Sequence, residues 1–157
     1  MKLKIKKLYP YAVLPQYATD GAACFDLHAI VEGEGKTDKD GKVQPPSAII
    51  TPGTAAHIRT GLAFEVPPGH AMLIYSRSGH GFKAGVRLVN AVGVIDSDYR
   101  GEVAVGLHND SRKRFTVQHG DRIAQALLVP IPRVEFEVVD DLSGTARGAG
   151  GFGSTGA

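Results

Sequence analysis

Short apolar or alternating runs recur along this chain, separated by Gly, Pro, Asp and Asn. Leu62-Ala63-Phe64-Glu65-Val66, Ala71-Met72-Leu73-Ile74-Tyr75 and Val103-Ala104-Val105-Gly106-Leu107 are three such runs, and Thr51-Pro52-Gly53 and Pro67-Pro68-Gly69 are two of the breaks. Runs this short, bounded by turn formers, suit strands better than helices. Many of them in succession predict an all-β fold, a sandwich or a barrel. Residues 78–85 leave room for a short helical turn or two, because their glycines disfavour anything longer. Residues 1–8 alternate Lys with apolar side chains and lack the continuous apolar core of a signal peptide, so a strand with one solvated face is expected. Residues 133–139 alternate strictly, which predicts another strand with Val134, Phe136 and Val138 on one face.

A length of 157 residues fits one domain, 1–157, able to bury a substantial core. The formal charge is 18 − 16 = +2, too small to argue for a nucleic-acid or membrane surface. Cys24 has no cysteine partner, which suits a reducing, cytoplasmic setting. No stretch is long enough to cross a bilayer. Two segments break the strand pattern. A polar insertion loop is expected over 32–47, and a Gly-rich arm over 144–157. So glycine-rich a stretch reads equally as a bare disordered tail, but such a tail does not need Arg147 or Phe152. Their presence suggests a segment that orders over a ligand, with a guanidinium for an anion and a ring for a base.

The chemistry concentrates in a few places. Residues 92–103, Val-Gly-Val-Ile-Asp-Ser-Asp-Tyr-Arg-Gly-Glu-Val, read as a β-hairpin whose tip carries Asp96, Asp98 and Tyr99. A carboxylate on such a mount could hold a water against a ligand, although Asp and Ser are also ordinary turn formers. Ser76-Arg77-Ser78-Gly79 follows a strand and opens the possible helical turn, a junction that offers N–H, hydroxyl and guanidinium donors to an anion, although taken alone the run reads more readily as a solvated turn. Gln125 sits among small and apolar neighbours, either as a core amide bonded to backbone or as a ligand contact. The six histidines show no metal-ligand spacing, so each is expected at the surface or in a local hydrogen bond. P-loop, dinucleotide-binding and nucleophile-elbow motifs are absent from the sequence.

Taken in order, these pieces resemble the trimeric dUTPase family. Five motifs carry the resemblance: Gly21-Ala22-Ala23-Cys24-Phe25-Asp26-Leu27-His28-Ala29; Ser76-Arg77-Ser78-Gly79; Asn90 with residues 93–101; Gly120-Asp121-Arg122-Ile123-Ala124-Gln125; and the tail from Arg147 to Gly156. The resemblance implies a jelly-roll-like β-barrel subunit with at most one short helix, assembled as a homotrimer whose C-terminal arm is exchanged over a neighbouring active site. It implies hydrolysis of dUTP to dUMP and pyrophosphate, which limits uracil in DNA and supplies dUMP for thymidylate synthesis. Mg2+ is implied on the substrate triphosphate, without direct protein ligands. By the same resemblance Asp96 activates the water that attacks the α-phosphorus, and Tyr99 packs under deoxyribose. Asn90, Gly93, Val94 and Ile95 read uracil. Arg77, Ser78, Gly79 and Gln125 cradle the triphosphate. Arg147, Phe152, Gly153 and Ser154 close over the nucleotide, and Asp26 supports the metal waters from behind.

Two positions depart from the family pattern, Cys24 where Gly is usual and Ser76 where Pro is usual, and the 32–47 stretch is longer than the usual connection. Two other readings compete: a dCTP deaminase-like enzyme on the same fold, and a nucleotide-gated regulatory binding protein. Deamination would need an acid/base group at the pyrimidine C4, and no Glu stands beside Asn90 to supply it.

Overall fold

The computed structural model describes residues 1–37, 39–151 and 154. In chain order the strands are β1 (Lys4–Lys7), β2 (Gln16–Tyr17), β3 (Phe25–His28), β4 (Lys36–Thr37) and β5 (Val43–Gln44). Then follow β6 (Ser47–Ile50), β7 (Ala55–Glu65), β8 (His70–Tyr75), β9 (Val86–Leu88) and β10 (Val92–Ile95). The last three are β11 (Glu102–Asn109), β12 (Phe115–Gln118) and β13 (Arg122–Pro130). One short π-helical turn, His80–Ala84, interrupts them. The fold is the all-β one expected, with a helical turn where the glycine-rich 78–85 segment allowed one.

Two antiparallel sheets share the core. One has the order β1-β7-β11-β9 and the other β10-β8-β13-β3-β2. Period-2 patterning places their inner faces. On β11 the side chains of Val103, Val105, Leu107 and Asn109 are buried while Ala104 is exposed. Val103, Val105 and Leu107 meet Leu62 and Phe64 of β7 and Leu27, Met72 and Ile123 of the second sheet in one apolar cluster. Asn109 is a polar residue of this interior, as Thr60 is, and its amide donates to Ile50 O at 2.9 Å and to Lys113 O at 2.7 Å. The expected N-terminal strand is β1, paired Lys4 to Glu65 through Lys7 to Leu62. The 32–47 stretch is largely exposed and carries the two-residue ladder of β4 and β5, and its last residue already belongs to β6.

Two expectations need correction. Residues 92–103 do not form a hairpin. β10 pairs with β8, Val92 opposite Tyr75 through Ile95 opposite Met72, whereas β11 pairs with β7 and β9 in the other sheet. The turn at 96–101 is a corner between sheets. Its Asp-Ser-Asp chemistry is the same in either case, so the sequence could not separate the two. Residues 133–139 form no strand either. They run without a partner and are exposed, Phe136 at 91% and Val138 at 98%. Alternation prepares a strand, but only a ladder partner makes one.

Candidate active site

Where β8 ends, the second sheet assembles a polar hollow. Asp26 on β3, Gln125 on β13 and Tyr75 on β8 stand in register across three neighbouring strands. The Asp26 side chain is largely withdrawn from solvent, and both of its oxygens are taken. Arg77 Nε donates to Oδ1 at 2.9 Å and Arg122 Nη1 to Oδ2 at 3.2 Å. A register shift in β13 between Arg122 and Ala124 re-aims Arg122 toward that carboxylate. Removing either arginine would leave a poorly solvated charge short of a partner, which is costly.

Arg77 also opens the π-helical turn. Its carbonyl accepts from His80 N and Gly81 N, both at 3.1 Å, and the turn closes at Gly85, whose φ of 64° suits glycine. Cys24, Asp26, Arg77, Ser78, Gly79, Arg122 and Gln125 line a hollow of about 330 Å³ here. Gln125 has the backbone bond of the first reading, Nε2 donating to Ser76 O at 2.9 Å, and the residue also lines the hollow. Ser76 uses its hydroxyl to accept Leu88 N–H at 2.8 Å, which ties the strand end to β9. Burial, and after it the Asp26 charge, push the Cys24 thiol upward, so it stays protonated at neutral pH.

Two histidines flank this cluster, contrary to the expectation of surface or locally bonded rings. Nδ1 of His28 and of His80 is buried without a protein partner. Burial is the main reason both titrate below the ordinary imidazole range. Arg122 and Arg77 add to it at His28, and Arg77 leads among the charges that add to it at His80.

The failed hairpin makes the second hollow. Because β10 and β11 leave for different sheets, a cleft opens between them instead of a ladder. One part, about 250 Å³, is lined by Asn90, Gly93, Val94 and Ile95 on one side and by Ala104, Val105 and Gly106 on the other. The adjoining part, about 260 Å³, runs past Asp96, Tyr99 and Glu102 and shares Val94, Ile95 and Ala104 with the first. Its floor approaches closely: a Cβ on Gly93 would stand 3.2 Å from Ile74 Cβ. Ala91 turns the chain into this strand with a φ of 55°, a conformation that costs a non-glycine residue energy and clusters at functional sites. Asp96 is exposed at the lip, and Tyr99 Oη donates to Glu102 O at 3.0 Å.

The two hollows share no lining residue within one chain. The predicted site residues therefore fall into three groups. Asp26, Arg77, Ser78, Gly79 and Gln125 lie together, and Asn90, Gly93, Val94, Ile95, Asp96 and Tyr99 lie together. Arg147 and Ser154 lie on the exposed arm, where Arg147 Nε donates to Gly150 O at 2.8 Å. Phe152 and Gly153 lie outside the described residues. Sequence reasoning left out Arg122, Cys24 and His57 as lining residues. Arg122 had a signal, a cation three residues from Gln125 in a strand-like run.

A cationic cradle and a separate narrow cleft with an aromatic and a carboxylate at its lip suit the two ends of a nucleotide, and comparison with known proteins agrees. The dUTPase family profile matches residues 10–156. The chain belongs to the dUTPase family. Deoxyuridine 5'-triphosphate nucleotidohydrolase of Nautilia profundicola is 47% identical over 156 residues, covering 99% of both chains. The protein of that name from Hahella chejuensis is 44% identical over 157 residues, covering 99% of this chain and 95% of the other. Among solved structures, the dUTPase of Staphylococcus bacteriophage 80alpha, studied with dUpNHpp, superposes with a TM-score of 0.79 at 24% identity, covering 99% of each chain. An aspartate mutant of the dUTPase from S. aureus phage phi11, which coordinates a structural Mg(II) ion, gives 0.76 at 20% identity over 92% of this chain and 100% of that one. Likeness at this level of identity shows the shared fold.

Proposed function

We propose that the dUTPase-family chain converts dUTP and water to dUMP and pyrophosphate by the following division of labour. The uracil enters the cleft between β10 and β11, its polar edge read by Asn90 and by the backbone of residues 93–95. A narrow slot suits a flat ring, and exclusion of a 5-methyl group by the backbone of residues 93–95 is part of the same reading. Tyr99 packs beneath deoxyribose. Asp96 holds a water and takes its proton as the oxygen attacks the α-phosphorus, and pyrophosphate leaves. Arg77, Ser78, Gly79 and Gln125 hold the triphosphate of a neighbouring site, with Arg147 and the arm closing over it. Phosphoryl chemistry of this kind depends on positioning and charge neutralisation more than on covalent help.

The observation that carries this reading is the cleft made by splaying β10 from β11, one part lined by Asn90 and the adjoining part by Asp96 and Tyr99. Because the cradle and the cleft are separate hollows in one chain, a homotrimer with shared sites accounts for how they meet. Asp26 acts through the two guanidiniums it anchors. With both of its oxygens so engaged, it is a poor direct metal ligand. The cradle's cations and N–H groups suit phosphate oxygens, so Mg2+ arrives as part of the substrate, bound to the triphosphate. A cytoplasmic setting follows from the substrate. Among the described residues no helix is long and apolar enough to cross a membrane. The consequence for the cell is less uracil in DNA and a supply of dUMP for thymidylate synthesis.

Product analysis across dUTP, dCTP, dTTP and UTP tests the proposal. Pyrophosphate and dUMP from dUTP alone, over many turnovers, are expected. Ammonia from dCTP would mark a deaminase instead, and release of less than one pyrophosphate per subunit would mark a nucleotide-gated binding protein.

A further inference from the structure

β7 carries an irregularity opposite Glu102, a residue that lines the cleft. Glu102 pairs with Ala63 while Ala104 pairs with Arg59, so the partner strand accommodates extra residues around Gly61. Gly61 has a φ of +69°, and a Cβ there would meet Ala12 Cβ at 2.8 Å. The bulge turns the Gly61 N–H and the Arg59 side chain onto one carboxylate. Gly61 N donates to Glu102 Oε1 at 2.8 Å. Arg59 Nε donates to both Glu102 oxygens at 3.2 and 3.0 Å, and Nη2 donates to Oε2 at 2.9 Å. The guanidinium is itself braced. It lies over the Tyr9 ring, 4.6 Å from the centroid, Nη2 donates to Tyr9 Oη, and Nη1 donates to Glu32 Oε1 at 3.3 Å. The main chain of the residue so fixed, Glu102, offers the carbonyl that accepts Tyr99 Oη at 3.0 Å.

We infer that Arg59 is a positioning residue for sugar selection: through Glu102 it fixes the height of the Tyr99 ring in the cleft. The inference rests on the dUTPase reading of that cleft. Tyr99 stands on a corner, 43% exposed; its main chain is tied by Tyr99 N donating to Asp96 O at 3.3 Å and by Arg100 Nη1 donating to Tyr99 O at 2.9 Å, and the hydrogen bond of its side chain is the one to Glu102 O. A ring held so lightly keeps its place through its hydroxyl, and the acceptor keeps its place through the Arg59 fork. Excluding one hydroxyl group from a sugar site needs placement to a fraction of an ångström. Slack in the tether therefore admits ribose before it harms deoxyribose. Arginine is required over lysine because only the planar fork addresses both oxygens of one carboxylate.

The test measures kcat/KM for dUTP and for UTP in the wild type, Arg59→Ala, Arg59→Lys, Tyr99→Phe and the Arg59→Ala/Tyr99→Phe double variant, with melting curves for each. Loss of one net hydrogen bond predicts that Arg59→Ala lowers the dUTP-over-UTP ratio roughly fivefold, with Arg59→Lys between it and the wild type. Tyr99→Phe lowers the ratio similarly, and adding Arg59→Ala to it changes little, because both act on one tether. Equal losses for both nucleotides together with a lower melting temperature would make Arg59 a mere structural brace and overturn the inference, as would additive effects in the double variant. Should Arg59→Ala fail to fold, Glu102→Gln weakens the same fork while sparing the carbonyl, and the same fall in ratio is expected; an unchanged ratio overturns the inference. A wild type that turns over dUTP with no preference against UTP defeats the functional reading itself. That outcome is distinct from a wild-type preference that survives in Arg59→Ala.

Discussion

Gly101 has no side chain because Tyr99 occupies the space one would need. A Cβ at that position would stand 2.6 Å from Tyr99 Cζ. The obstructing atoms are the far end of a movable ring, so the fold can tolerate Gly101→Ala by displacing Tyr99. The prediction follows from that asymmetry: Gly101→Ala should keep its melting temperature within a few degrees while kcat/KM for dUTP falls at least tenfold, about 1.4 kcal/mol of transition-state stabilisation. A variant that melts normally and works normally would show that the ring is not part of the site. Asp96 invites the complementary experiment. It is exposed at the lip of the cleft, where a neutral isostere fits as well as the acid. Asp96→Asn should therefore bind a non-hydrolysable dUTP analogue with near wild-type affinity. Its turnover should fall by roughly a hundredfold or more, the ordinary contribution of a general base. Turnover that survives would remove the base role from Asp96.

Among the elements, the π-helical turn His80–Ala84 is where stability and function press on each other. His80 packs edge-on to Phe115, ring centroids 5.3 Å apart, with its Nδ1 buried. It also lies within the field of Arg77, so the folded protein holds the ring neutral. In the unfolded chain the imidazole titrates near pH 6.5. The folded value is lower, so the stabilising preference is fully present above that pH. As pH falls, the unfolded chain takes up a proton that the folded chain refuses, and stability is lost progressively until the folded ring also titrates. His28 contributes with the same sign. The midpoint of urea unfolding should accordingly fall between pH 7.5 and 5.5, and His80→Leu should reduce that fall. An equal fall in wild type and variant would locate the acid sensitivity elsewhere. The turn also shows what sequence could and could not disclose. Glycines at 79, 81 and 85 marked a break in the strands, and the acid-and-aromatic corner at 96–101 was plain, because both are local. Which strand each limb of that corner pairs with was not, since β10 finds β8 and β11 finds β7 through contacts distant in sequence. The Arg122–Asp26 and Arg59–Glu102 pairs were hidden for the same reason, each being set by a bulge that shifts register, and no one-dimensional pattern encodes it.

At the scale of the whole molecule, the arm beyond β13 leaves an apolar alternation exposed, as the proposed exchange onto a neighbouring subunit requires. Phe136 and Val138 are almost fully exposed, Val134 is 64% and Leu142 89% exposed, and the period-2 alternation that failed to make a strand persists there. Burying four such side chains would be worth about 6 kcal/mol or more, enough to hold an exchanged segment on a neighbouring copy. The same arm carries Arg147, bonded within its own turn and away from both hollows of its subunit. Two truncations separate these jobs. Ending the chain before Arg147 keeps the apolar alternation and removes the cation, so the proposed trimer should be seen in sedimentation equilibrium while dUTP turnover falls by roughly a hundredfold or more, as expected when part of the charge-stabilising set is lost. Ending it after Pro130 removes the alternation as well, and both the trimer and the remaining activity should be lost together. A protein shortened before Arg147 that keeps full turnover would make the arm a spectator. A trimer that persists without residues 131–157 would show that assembly is built from the sheets alone, because the alternation at 133–139 would then have no interface to serve.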